Sequence, residues 1–131
     1  MMFPAGDFKF DEFSLQCAVA TYLDGLAAAT KRLAWSHPPN EGKQKPQYRM
    51  KQIKAGMKTG EPDCIIYLKG GKTIFIELKT DRGSLSAAQK KRHAELRALG
   101  FDVYTVKAAT PAEAVRKVAR ILFEHGIREA R

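Results

Sequence analysis

The sequence predicts a mixed α/β fold: a single domain, residues 1–131, with a small central sheet of mixed strand direction flanked by helices. Two observations carry that prediction. The apolar runs Asp63 to Leu68 and Thr73 to Lys79 flank the turn residues Lys69-Gly70-Gly71-Lys72, the pattern of a β-hairpin. After it, segments at helical spacing open on capping signals, Ser86-Ala87-Ala88-Gln89 and Thr110-Pro111-Ala112-Glu113.

The elements follow in chain order. A first helix opens at Asp11 or Ser14 and runs to about Ala29, with Phe13, Val19, Leu23 and Leu26 among its apolar positions. Glu12 and Gln16 are four apart, so they share a helical face and can point at one neighbouring site. Residues 32–36 read as a short strand, and Pro38-Pro39-Asn40-Glu41-Gly42 as loop, because consecutive prolines and Asn/Gly disfavour regular structure. Tyr48 to Ala55 forms a short basic helix ended by Gly56, and Gly60 precedes Pro62. After the hairpin, a helix runs from the Ser86 cap to Leu99 and stops at Gly100. Asp102 to Val106 is a strand, and the last helix carries Val115, Val118, Ala119 and Leu122 on one face.

Side-chain parity within the hairpin singles out three residues. Ile74, Ile76 and Leu78 point to one side of their strand, and Thr73, Phe75, Glu77 and Lys79 to the other. Both faces are therefore covered, yet the C-terminal end carries a carboxylate and an ammonium. In an antiparallel hairpin the start of the first strand lies beside the end of the second, which sets Asp63 next to Glu77 and Lys79. Burying unpaired ionic groups costs several kcal/mol. A divalent cation and a phosphate explain the trio better than packing does.

Composition is consistent with that chemistry. The chain is 14.6 kDa and 44% hydrophobic, enough for one core, and carries a net charge of +9. Residues 31–60 hold eight Lys and Arg against Glu41, a net of +7, directly before Asp63. Lys43, Lys45, Arg49, Lys51, Lys54 and Lys58 are suited to phosphate contacts that position DNA without reading its sequence. The competing explanation is a solvated loop and helix face. No apolar stretch approaches the about 20 residues of a membrane helix. The segment from Met1 to Glu12 lacks the basic-then-apolar order of a signal peptide, so a cytoplasmic chain is expected. Cys17 and Cys64 lack ligand spacing and are expected to be reduced core residues. His37, His93 and His125 show no mutual spacing and are expected at the surface, whereas Trp35 is expected in the core.

Phosphodiester hydrolysis needs an activated water, neutralised phosphate charge and a stabilised leaving oxygen, which carboxylate-held Mg²⁺ can supply, with Mn²⁺ able to substitute. Asp63 and Glu77 are the candidate direct ligands, with the Leu78 carbonyl as a third. Lys79, one strand period from Glu77, can hold the attacking water or the transition-state phosphate. Glu12 can bind a second metal or orient a metal-bound water.

The run Gly60-Glu61-Pro62-Asp63, Ile76-Glu77-Leu78-Lys79 and Gly83-Ser84-Leu85-Ser86-Ala87-Ala88-Gln89 resembles the PD-(D/E)XK nucleases. Within them it is similar to the VRR-NUC (virus-type replication and repair nuclease) family, over roughly Glu12 to Leu122. Trp35, Pro39 and Asn40-Glu41-Gly42 match that family's segment before the basic stretch. The resemblance implies a restriction-endonuclease-like fold, with Asp63, Glu77 and Lys79 as the catalytic motif, Glu12 as the first-helix acid and Gln89 as the polar residue on the following helix. It further implies magnesium-dependent cleavage of DNA. Stand-alone members, in phage and bacteria, resemble homodimeric Holliday-junction resolvases. The reading favoured here is therefore a structure-selective endonuclease of branched DNA, acting in repair in a bacterial or phage-infected cell. The alternatives are a non-catalytic nucleic-acid-binding module and a nuclease of flap or duplex DNA.

Overall fold

The computed structural model describes residues 8–38 and 45–128. Helix α1 (Glu12–Thr30) starts where Asp11 accepts the Ser14 N–H at 2.8 Å, the side-chain cap expected of an aspartate before the first turn. It buries Leu15, Val19, Leu23 and Leu26, a stripe at spacings of three and four. Cys17 lies off that stripe and is exposed, so it is not the core residue expected from the sequence; Cys64 is buried as expected.

Four strands form one mixed sheet in the order β1-β2-β3-β4, with β1 (Leu33–Ser36), β2 (Cys64–Leu68), β3 (Thr73–Thr80) and β4 (Asp102–Ala108). The first three are antiparallel neighbours, whereas β4 runs parallel to β3. The β2–β3 hairpin turns at Gly70 and Gly71, whose φ values of +98° and +94° suit glycine. Helix α2 (Pro46–Lys54) begins two residues earlier than the sequence suggests, because Pro46 sits at the first helical turn, where its missing N–H costs nothing. Strand β4 extends past Val106 because Lys107 and Ala108 pair with Lys79 and Thr80.

Helix α3 (Ala87–Ala98) and helix α4 (Pro111–Glu124) complete the fold. Ile74, Ile76 and Leu78 join α1 and α4 in the main core, while Phe75 packs with Leu96 of α3 and Val103 on the opposite face. The central strand β3 is thus covered on both sides, and its charged C-terminal end lies between layers. Trp35 packs half-buried against the main core, and its Nε1–H donates to Asp24 at 2.7 Å.

Candidate active site

The hairpin register places the carboxylates together. Cys64 pairs with Ile76, so one step further Asp63 stands opposite Glu77. The Leu78 N–H donates to Asp63 Oδ2 at 2.7 Å, which fixes the Asp63 carboxylate against the end of β3. From the other side, His37 Nδ1 lies 2.6 Å from the Asp63 carbonyl oxygen. His37 is exposed as expected, but it holds the backbone of a candidate ligand.

Glu77 is 1% exposed. Its Oε2 accepts from Gln89 Nε2 at 3.3 Å, and its Oε1 lies 3.2 Å from His93 Nε2. Burial, then the hydrogen bond to Asp63 and the Asp63 charge, push the Glu77 pKa up to about 10; the Lys79 charge pulls the other way. Burial and the neighbouring Asp63 carboxylate thus both disfavour the ionised form of Glu77.

Gln89 has two jobs. Its Oε1 accepts the Ser86 N–H at 2.9 Å while Ser86 Oγ accepts the Gln89 N–H at 3.1 Å, a complete capping box. The same side chain's amide nitrogen reaches Glu77. Helix initiation and the placement of Glu77 are therefore one structural event.

Lys79 is 7% exposed, and its Nζ lies 3.5 Å from Glu12 Oε1 at the start of α1. One turn on, Gln16 Nε2 approaches Cys64 Sγ at 3.7 Å, next to Asp63. The shared face of Glu12 and Gln16 does point at the strand ends. Cys64 itself is kept protonated, its pKa raised to about 12 chiefly by burial, so it is no nucleophile.

His93 corrects the expectation of a surface residue: it is fully buried, and burial, then the charge of Arg97, lower its pKa. The signal was present in the sequence, since Gln89 and His93 are four apart and share a face of α3. His125 is also removed from the surface, half-buried, with its Nε2 2.7 Å from the Tyr104 hydroxyl.

Two further contacts draw the chain before Asp63 onto α3. Arg92 donates to Glu61 through Nε at 2.8 Å and Nη2 at 3.4 Å. Gly60, at φ +78°, leaves no room for a side chain: an added Cβ would stand 2.3 Å from the Ala88 carbonyl oxygen. Gly60 is required by both conformation and contact.

Lys45, Arg49, Lys51, Lys54 and Lys58 are all exposed on or beside α2, while Lys43, Pro39, Asn40, Glu41 and Gly42 lie outside the described residues. No group of three or more His, Cys, Asp or Glu residues is clustered for metal binding among the described residues. Two touching carboxylates still fit a hard divalent cation of the magnesium type, which takes one or two carboxylates and keeps several waters. The donor chemistry is all-oxygen, and the charge of a cation there would favour the ionised form of Glu77.

One mixed four-stranded sheet with helices packed on both of its faces defines a small α/β architecture. Two solved structures share it. One, described as a VRR_NUC domain protein, aligns with a TM-score of 0.56 at 20% identity over 85% of this chain and 87% of its own. A second, described as a VRR_NUC domain, aligns with a TM-score of 0.51 at 18% identity over 86% of this chain and 97% of its own. No family model matches the sequence, and no curated protein does. At these identities the likeness establishes the fold, and the resemblance drawn from the motif residues is met again in three dimensions. Among the described residues, no helix is long and apolar enough to cross a membrane.

Proposed function

We propose that this chain is a VRR-NUC nuclease that hydrolyses phosphodiester bonds of branched DNA with Mg²⁺, or Mn²⁺ in its place, and works as a homodimer. The observation that carries the proposal is the Asp63–Glu77 carboxyl pair beside Lys79 at one end of β3, where a cation, a water and a phosphate can meet. Mg²⁺, when bound, would polarise the phosphate and lower the pKa of a bound water.

The chain's own residues do the rest. Asp63 and Glu77 would hold the cation through their oxygens, with the Leu78 carbonyl as a third donor, while the Leu78 N–H, Gln89 and His93 keep the two carboxyl groups from rotating away. Lys79 supplies a positive charge against the phosphate, and Glu12 holds that ammonium in place from across the site. The exposed cations of residues 45–58 hold the flanking backbone. Symmetric nicks on a junction call for two sites related by a two-fold axis, which a homodimer provides.

The test is incubation of a labelled four-way junction, a flap and a linear duplex with and without Mg²⁺, beside the Glu77→Ala protein. Cleavage of the branched substrates that needs both Mg²⁺ and Glu77 is the expected result. Binding with no cleavage of any substrate would leave a non-catalytic nucleic-acid module instead. Equal cutting of the duplex would make the chain a general DNA nuclease.

A further inference from the structure

Helix α2 buries none of its side chains. A helix of nine residues that contributes nothing to the core gains little from burial, and isolated helices that short are marginal in water. It nevertheless carries two large apolar side chains on one face, Met50 and Ile53, three apart and 71% and 42% exposed. They form an apolar hollow rimmed by Lys51 and Lys54. From Lys45 to Gly60 the chain has five cations, Lys45, Arg49, Lys51, Lys54 and Lys58, and no acid.

Those charges select the occupant. A second copy docked through this face about a two-fold axis would set the same cations against themselves, and like-charge juxtaposition costs several kcal/mol. Nucleic acid satisfies both halves of the surface, because phosphates neutralise the lysines and the faces of unstacked bases are apolar. Duplex ends and branch points are where such faces become accessible. Apolar side chains presented beside phosphate-binding cations are used elsewhere to part base steps.

The position fits as well. Lys54 is nine residues from Asp63, and a chain spans at most about 3.5 Å per residue, so the helix end lies within about 30 Å of the carboxylates. That is less than one turn of duplex, about 34 Å. The approach is pinned by Gly60, seated on the first turn of α3 next to Gln89.

We infer that α2 is a branch-point wedge: Met50 and Ile53 lie against the unstacked bases of a junction while Lys51 and Lys54 hold the adjoining phosphates. The inference rests on the nuclease reading for its substrate and deepens it by assigning the residues that sense branching. Cuts should then fall within about one helical turn of the branch point.

The test is fluorescence-anisotropy binding in EDTA to a four-way junction and to a linear duplex of equal length, for the wild type, Met50→Ser/Ile53→Ser and Lys51→Glu/Lys54→Glu. Both side chains of the serine variant are exposed, so an unchanged Tm is expected and checks that it folds. The wild type should prefer the junction, and the serine variant should bind the duplex equally well while losing about tenfold on the junction, as expected for lost base contact. The glutamate variant should weaken both alike. A wild type without junction preference, or a serine variant that keeps it, would overturn the wedge. A wild-type dimer that the serine substitutions turn monomeric, or wild-type binding to anionic vesicles that they abolish, would assign the face to a second copy or a lipid surface and overturn it too. Because no cation is present, the wedge can stand if cleavage is never observed, and it can fall while Mg²⁺-dependent cleavage persists.

Discussion

Replacing Glu77 by Gln is expected to stabilise the metal-free protein at alkaline pH. The side chain is 1% exposed and touches Asp63, His93 and Gln89, so its charged form has little solvent to support it. Burial foremost, then Asp63, raise its pKa from 4.5 to about 10. Between those values the folded chain keeps a proton that the unfolded chain has released, so the free energy of unfolding falls as pH rises. For one whole proton the slope is about 1.4 kcal/mol per pH unit. The clean window is about pH 7 to 8, because the unfolded Cys64 thiol starts to ionise above it. His93, lowered from 6.5, titrates below that window, and Cys64, raised from 9.0 to about 12, titrates above it. Urea unfolding in EDTA at three pH values across the window reads the slope directly. Glutamine keeps the shape without the charge, so the Glu77→Gln protein should lose most of the decline and be the more stable of the two at the alkaline end. A wild-type stability that stays flat or rises across the window would refute the raised Glu77 pKa.

Other expectations follow from the same geometry. His93→Leu should lower Mn²⁺ affinity by about 10- to 100-fold in calorimetry, since it removes a group that orients Glu77. Because that variant also leaves the buried Glu77 Oε1 without its His93 partner, it should lower the Tm, and His93→Gln, which retains a donor, should recover most of both the Tm and the metal affinity. Equal Mn²⁺ affinity in wild type and His93→Leu would remove the positioning role. Lys79→Ala should bind a junction as the wild type does, with the same steep loss of affinity as salt increases, yet cleave it at least about 100-fold more slowly; unimpaired cleavage would end the role given to the ammonium. Gly60→Ala should cost more than about 1 kcal/mol in chemical denaturation, because its φ of +78° and the 2.3 Å approach to Ala88 both oppose a Cβ.

The hairpin made the heart of the site legible in the sequence. The turn at Lys69 to Lys72 sets the register, and once Cys64 faces Ile76 there is one place Asp63 can be. The capping box likewise announced α3 and put Gln89 at its start. His93 escaped notice because three scattered histidines suggest nothing by mutual spacing, whereas its partnership is with Gln89 one turn earlier and with Glu77 on another element. Cys17 was misplaced for the converse reason: small apolar residues alternate around α1, and only the Leu15, Val19, Leu23, Leu26 stripe meets the sheet. The parallel pairing of β4, and hence its extra length, depends on contacts with β3 that local sequence does not encode. The roles of Leu78 and Arg92 are equally non-local, one acting through a main-chain N–H and the other through Glu61.

The most direct test is an anomalous-scattering map from a crystal of the protein soaked in Mn²⁺. A peak bridging Asp63 and Glu77, about 2.2 Å from a carboxylate oxygen of each and absent in Asp63→Asn, is the result expected of a cation-dependent nuclease centre. Full Mn²⁺ occupancy elsewhere on the chain, with no peak between the Asp63 and Glu77 carboxyl groups, would contradict it.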